Sequence, residues 1–168
     1  MAFDIYVYFE GKGKVEGESS DHEFGPKKAF EIFSFSIGAS NPTTIGSASG
    51  GLTGGRVSLS SFSMMKKTDA ASAALFNACA SGASIDKMIV VLRKSGGEKQ
   101  LKFITFTFEE VMIEHIQWSG SSGGDDTPHE SIGAAYGKVT IEYQPQGKDG
   151  SAQGGAKNAS WDQRKNTK

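Results

Sequence analysis

The chain has 168 residues, enough for one domain with its own core, and a formal net charge of −1, so neither sign is in excess to attract nucleic acid or an anionic membrane. Its single cysteine, Cys79, excludes an internal disulfide and suits a reducing compartment. No apolar run approaches the roughly 20 residues of a membrane helix, and the opening MAFDIYVYFEG alternates without a basic stretch, so it reads as a strand and not as a cleaved signal.

Phe3 to Phe9 places Phe3, Ile5, Val7 and Phe9 on one face and Asp4, Tyr6 and Tyr8 on the other, the period of a strand. Gly11 to Pro26 is polar and charged and reads as a loop. Ala29 to Ile37 alternates again, with Phe33, Phe35 and Ile37 expected on a core and Ser34 and Ser36 against water. Next comes Ala39–Gly55, ASNPTTIGSASGGLTGG, which carries no charge and five glycines. Glycine costs backbone entropy in a helix or a central strand, and Pro42 interrupts a ladder. The stretch exceeds the roughly 4–6 residues of most connections, and such long loops are functional or disordered. Ile45 and Leu52 have nothing local to pack on, so they read as anchors for something outside the monomer. A flexible linker is the alternative.

Arg56 to Met64 reads as a strand with Val57 and Leu59 on one face. Thr68 to Ala80 is the one helix, with Thr68 as its cap, Asp69 in its first turn and Gly82 as its stop. Ala71, Leu75, Ala78 and Cys79 recur along it at helical spacing. Strands follow over Ile85–Lys94, Gln100–Phe108 and Val111–Trp118, with a turn at Ser95–Glu98. Residues 119–131 form a second polar loop, and Ile132–Tyr143 is the last strand. This divides the chain into a β domain over residues 1–146 and a Gly/Lys/Asn-rich tail or docked arm over 147–168, whose only large apolar residue is Trp161. About seven short strands and one helix make a mainly β domain, a barrel or sandwich of antiparallel strands with long Gly/Ser-rich loops.

No catalytic, cofactor or metal constellation stands out. Gly11-Lys12-Gly13 follows a strand, as a dinucleotide-binding turn does, but the third glycine position holds Glu16 and no helix follows. Gly50 to Val57 has phosphate-loop spacing with Arg56 in place of Lys and Val57 in place of Ser or Thr. Cys79 sits on the apolar helix face and reads as structural. His22, His115 and His129 lack metal-ligand spacing, and His115 is expected to face solvent. His129 near Asp125 and Asp126 has too few carboxylates for a calcium loop. The chain reads as a binding or building protein and not an enzyme.

An ordered series of motifs carries a family resemblance. It runs through Gly17-Glu18-Ser19, FSFSIGASNP (33–42), the Gly-rich loop, KKTDAASAALFNACASG (66–82), LRKSGGEKQ (92–100), QWSGSSGG (117–124) and YGKVTIEYQPQ (136–146). The series resembles the haemolysin-coregulated protein family, Hcp, tube subunits of the bacterial type VI secretion system. Ile37 stands where family members often carry Trp. The resemblance implies a β-barrel with one helix, six copies to a ring, and rings stacked into a hollow tube. It implies a contractile sheath, a spike protein and secreted effectors as partners, with the chain first cytoplasmic and then secreted. On that reading Ser34 and Ser36 belong to a polar lumen wall that carries or chaperones small effectors. Asn41, Pro42, Ile45 and Leu52 belong to a loop that meets the next ring. Two other classes stand beside it: a cytosolic scaffold or chaperone-like barrel, which forms no ring, and an effector with a catalytic appendage, for which the short stretch after the last strand leaves no room.

Overall fold

The structure, a computed structural model, describes residues 3–45, 53–94, 100–124 and 126–168. The Ser95–Glu98 turn, Leu52 and Asp125 lie outside the described residues. The strands are β1 (Phe3–Glu10), β2 (Phe30–Ile32), β3 (Ser34–Ser36), β4 (Ala39–Ser40), β5 (Thr43–Thr44), β6 (Thr53–Gly54), β7 (Ser58–Leu59) and β8 (Phe62–Lys67). After helix α1 (Ser72–Ser81) come β9 (Ser84–Lys94), β10 (Lys102–Ser119), β11 (His129–Tyr143) and β12 (Lys157–Asp162).

The main sheet runs β2-β1-β9-β10-β11-β8-β3, with β12 added beside β11. β2 and β3 stand at opposite ends of this order, yet only Phe33 separates them in the chain. The sheet therefore curls until its two ends meet at one residue, and a nearly closed barrel results. Phe33 donates its N–H to the Met65 carbonyl at 3.0 Å, which carries the chain from the β1 edge to the β8 edge. This breaks the single strand expected over Ala29–Ile37. Phe33 does not join Phe35 on the core face; it is 50% exposed, because the alternation restarts at the bend.

Inward residues of every long strand fill the barrel. Val7, Phe62, Met88, Phe108 and Ile132 are fully buried there, joined by Leu75 and Ala71 from the helix segment. α1 starts at Ser72, later than expected, and Thr68 does not cap it. The Thr68 hydroxyl donates instead to the Pro128 carbonyl, and the Asp69 carboxylate accepts the Ala71 N–H while pairing with Lys66. The stop is as expected: Gly82 adopts φ 63° and its N–H reaches the Ala78 and Cys79 carbonyls.

Two more boundaries differ. The strand expected over Arg56–Met64 is two strands, β7 and β8, separated at Ser60-Ser61, and β8 runs on to Lys67. The two strands expected over 100–118 are one, β10, which passes through Glu110 at φ 56° and shifts register between Ile113 and His115. The expected polar loop is shorter, because β11 already begins at His129.

β1 and β9 are buried on both faces. Their outward Tyr6, Tyr8, Ile89 and Val91 form a second cluster with Phe24 and Ala29. The segment read as a polar loop thus folds over the barrel wall, and Phe24 stacks on Tyr6 with ring centres 4.3 Å apart. Residues beyond 147 are tied down as well: β12 pairs with β11, Val139 opposite Trp161.

Candidate assembly surfaces

Strand alternation places Ser34 and Ser36 on the outer wall, because Phe35 between them turns inward against Phe62. Ser34 pairs with Met65 and Ser36 with Ser63 on β8. The wall continues across Ser131, opposite Met65, and Gly133, opposite Ser63, to Gln117 and His115 on β10. His115 is exposed, as expected, and lies flat over Gly133, where a Cβ would come within 2.2 Å of the ring. Along these paired positions the wall carries hydroxyls, an amide, imidazoles and the exposed Met65 side chain, with the exposed Glu114 carboxylate beside His115 where β10 shifts register. Phe33 closes one end of it, packed edge-on against His129 at 5.3 Å.

The uncharged stretch leaves the barrel as an arm. Ala39 pairs with Leu59 and Ser40 with Ser58; further out Thr43 pairs with Gly54 and Thr44 with Thr53. Gly55 donates to the Pro42 carbonyl at 2.8 Å, and a Cβ there would sit 2.7 Å from the Pro42 ring, so the crossing requires glycine. Asn41 and Pro42 are exposed, and Ile45 is 82% exposed, the most of any large apolar side chain described. The root is held at Ser60, whose carbonyl accepts the Tyr136 hydroxyl at 2.8 Å and whose Oγ accepts the Gly38 N–H at 2.7 Å.

Two buried charge clusters brace these surfaces. Lys66 and Glu130 are both fully buried and 2.9 Å apart. Lys66 also reaches Asp69 at 2.7 Å and the Ser72 hydroxyl at 3.2 Å, while Trp118 donates its Nε1–H to Glu130 at 2.6 Å. Burial by itself raises the Glu130 pKa, but bonds from Ser72, Lys66 and Trp118 outweigh it and hold the carboxyl below its ordinary value. The cluster joins β8, β10, β11 and the start of α1. On the far wall the Arg93 guanidinium grips Asp21 with two bonds of 2.6 and 3.2 Å and donates to the Tyr6 hydroxyl at 2.8 Å. The hydrogen bond from Arg93 holds the Asp21 carboxyl well below the usual carboxylate range, and burial pushes the Tyr6 phenol up to about 12. Asp21 also accepts the Glu23 and Phe24 N–H groups, which fixes Phe24 over the wall.

Both clusters escaped the sequence reading. The one signal was the alternation Phe62-Met64-Lys66, which assigns Lys66 to the inward face. Among the described residues no group of three or more His, Cys, Asp or Glu is placed to hold a metal ion, and no helix is long and apolar enough to cross a membrane. Cys79 is half-buried against the core.

Comparison with known proteins adds to this geometry. Residues 6–143 match the model of the family described as type VI secretion system effector, Hcp. The chain is 32% identical over 111 residues to the protein hcp1 of Pseudomonas aeruginosa strain PAO1, covering 66% of this chain and 68% of that one. A solved structure described as a type six secretion system protein superposes with a TM-score of 0.89 at 34% identity, covering 99% of both chains. Hcp1 from Salmonella typhimurium superposes with a TM-score of 0.78 at 29% identity, again over 99% of both.

Proposed function

This chain belongs to the Hcp family of the type VI secretion system, and from that premise we propose how its surfaces serve the secretion tube. The chain is a structural tube protein and a secreted component of that system. Six copies close into a ring, and rings stack into a hollow tube. The outer wall bearing Ser34 and Ser36 lines the lumen and holds small effectors during transport. The arm bearing Asn41, Pro42, Ile45 and Leu52 reaches the adjacent ring. A contractile sheath surrounds the tube, a spike protein caps it, and the chain is made in the cytoplasm before export. The role is structural and calls for no catalysis.

The observation that carries this reading is the family match across barrel, arm and helix alike, residues 6–143. Two features support its details. The Ser34/Ser36 wall offers small hydroxyl side chains, which suit cargo that must be held and released. The arm presents Ile45 to solvent, 82% exposed among the described residues.

Negative-stain electron microscopy of the purified protein tests the reading: rings with an open centre are expected. A cytosolic barrel without a secretion role would give none. Light scattering that shows only monomer at about tens of micromolar protein, where obligate assemblies persist, overturns the ring.

A further inference from the structure

We propose that neighbouring copies around the ring meet head-to-tail through an uncharged knob and an uncharged groove. Phe76 of α1 on one copy seats in the cleft between Leu59, Ile141 and Trp161 on the next. The inference rests on the ring reading above and names the contact that closes it.

The knob is an anomaly of composition. A surface helix normally turns charged residues to water, yet the ten residues of α1, SAALFNACAS, include none. Ala73, Ala74, Phe76, Asn77 and Ala80 are all exposed. Phe76 is 50% exposed and packs against Trp118, itself 41% exposed, with ring centres 5.9 Å apart. Trp118 is fixed in turn by its bond to buried Glu130. The result is a rigid aromatic protrusion whose side chain is already ordered, so little freedom remains to be lost on contact.

The groove has a topological cause. β8 pairs with β11 only as far as Phe62 opposite Ala134, and β12 takes over that edge from Lys138 onward. The arm root and the barrel wall therefore diverge, and inward-facing apolar residues lose their cover. The cleft of about 370 Å³ is lined by Val57 and Leu59 from the arm root, Ile141 from β11, and Ala159 and Trp161 from β12. Ile141 is 38% exposed there although it points to the face that is core elsewhere on β11. The Trp161 Nε1–H is buried with no partner among the described residues. A buried donor without an acceptor is costly, and the exposed Asn77 carboxamide beside Phe76 carries an acceptor.

The two patches lie at opposite ends of one hairpin. Ile141 is level with Phe106 and Trp118 is level with Glu130, so twelve residues of β10 separate them. At about 3.3 Å per residue that is up to roughly 40 Å. A patch and its complement on opposite ends of one molecule is the requirement for a heterologous contact, which closes into a ring when the rotation allows.

The test uses the full chain with Cys79→Ser as background. Phe76→Cys combined with Ala159→Cys should oxidise into a ladder of covalent oligomers that ends at the hexamer, and neither single variant should. Phe76→Glu and Ile141→Glu, each at an exposed position, should raise the protomer concentration needed for half-assembly by roughly 30-fold or more, the scale of an interface hot spot. Circular dichroism matching the parent shows that the charged variants are folded, and the cysteine pair reads the contact without any charge burial. Rings that persist in both charged variants overturn the proposal. So do rings that form normally while only tube length shortens, since the contact then lies between rings. Cross-linking of Ala159→Cys to Ile45→Cys, with none to Phe76→Cys, overturns it in favour of the arm tip as the groove's occupant. A parent protein that forms no ring overturns the ring reading itself.

Discussion

Replacing Lys66 by Met removes the cation from a buried cluster and keeps most of the side-chain volume. Glu130 is then left fully buried with its charge unbalanced, and Asp69 loses its partner 2.7 Å away. Breaking a buried pair in this way costs about 3–5 kcal/mol. At about 2–4 °C per kcal/mol for a domain of this size, the melting temperature should fall by roughly 6–20 °C. Glu130→Gln should cost less, on the order of 1.5–3 kcal/mol, because Lys66 keeps Asp69 and Ser72 and Trp118 still finds an acceptor. The double variant Lys66→Met/Glu130→Gln should regain part of the loss, with a coupling within the roughly 0.5–3 kcal/mol seen for residues in contact. The pH dependence has a definite sign. In the parent, Glu130 lies below its ordinary pKa and contributes stability that is present at neutral pH and lost in acid. In Lys66→Met burial dominates, the Glu130 pKa rises, and protonation relieves the strain, so the gap to the parent narrows as pH falls. Urea unfolding followed by tryptophan fluorescence reads this directly, since Trp118 touches the cluster, provided protomer concentration is held fixed. A loss below about 1 kcal/mol for Lys66→Met, or no recovery in the double variant, refutes the reasoning.

Asp21→Asn should cost on the order of 1.5–3 kcal/mol at neutral pH through its bonds to Arg93. Because the folded Asp21 pKa is depressed, the parent loses this stabilisation below the unfolded value of about 3.9, so the difference between the two proteins should shrink in acid denaturation curves. Gly17→Ala should destabilise by about 1–3 kcal/mol in thermal melts, since the new Cβ would meet the Ala29 carbonyl oxygen at 2.5 Å and the Phe30 Cβ at 2.8 Å, neither of which can swing aside. Ser36→Gln should leave rings intact on micrographs and reduce co-purification of small effectors; undiminished cargo would place the binding surface elsewhere. Shortening the arm between Asn41 and Gly55 to a tight turn should leave rings and abolish stacking, and tubes of normal length from that variant would remove the arm from the axial contact.

The barrel was legible because alternation of period two survives in most of the long strands and needs no knowledge of partners, while β9 instead carries the unbroken apolar run Met88–Leu92 of a strand buried on both faces. What alternation cannot show is which edge a strand joins. Phe33 continues the apolar pattern of Phe35 and Ile37 in sequence, but the chain changes edges at that residue, so its side chain turns outward. Phe24 was hidden for a different reason. It is one aromatic residue among charges, and only the outward tyrosines of β1 reveal that the barrel wall needs covering there. Lys66 and Glu130 were illegible because a buried charge is recognised by its partner, and these two are 64 positions apart. The Gly17-Glu18 motif, a mark of the family in the sequence, has a local cause. Gly17 permits close approach to Ala29, and the Glu18 carboxylate accepts the Ala70 N–H just ahead of α1.

The arm changes the energetic argument for stacking. Fixing backbone costs about 1–2 kcal/mol per residue, which for a seventeen-residue loop would exceed anything Ile45 and Leu52 return at about 1.5–3 kcal/mol each. The described part of the arm is already paired in two short ladders, however, Ala39–Ser40 against Ser58–Leu59 and Thr43–Thr44 against Thr53–Gly54. A lone two-stranded ribbon is marginal in water. This one is held at its root by Tyr136 and Gly38 on Ser60 and by Arg56 on the Gln163 carbonyl at 3.0 Å. The barrel therefore meets part of the ordering cost during folding, before any second ring arrives. The contact then has less to offset, and a ring presents it six times, so that after the first arm docks the rest bind as one body. Rings must consequently form before tubes. Any substitution that opens the ring should abolish stacking too, while shortening the arm outside its root, between Asn41 and Gly55, leaves the ring untouched.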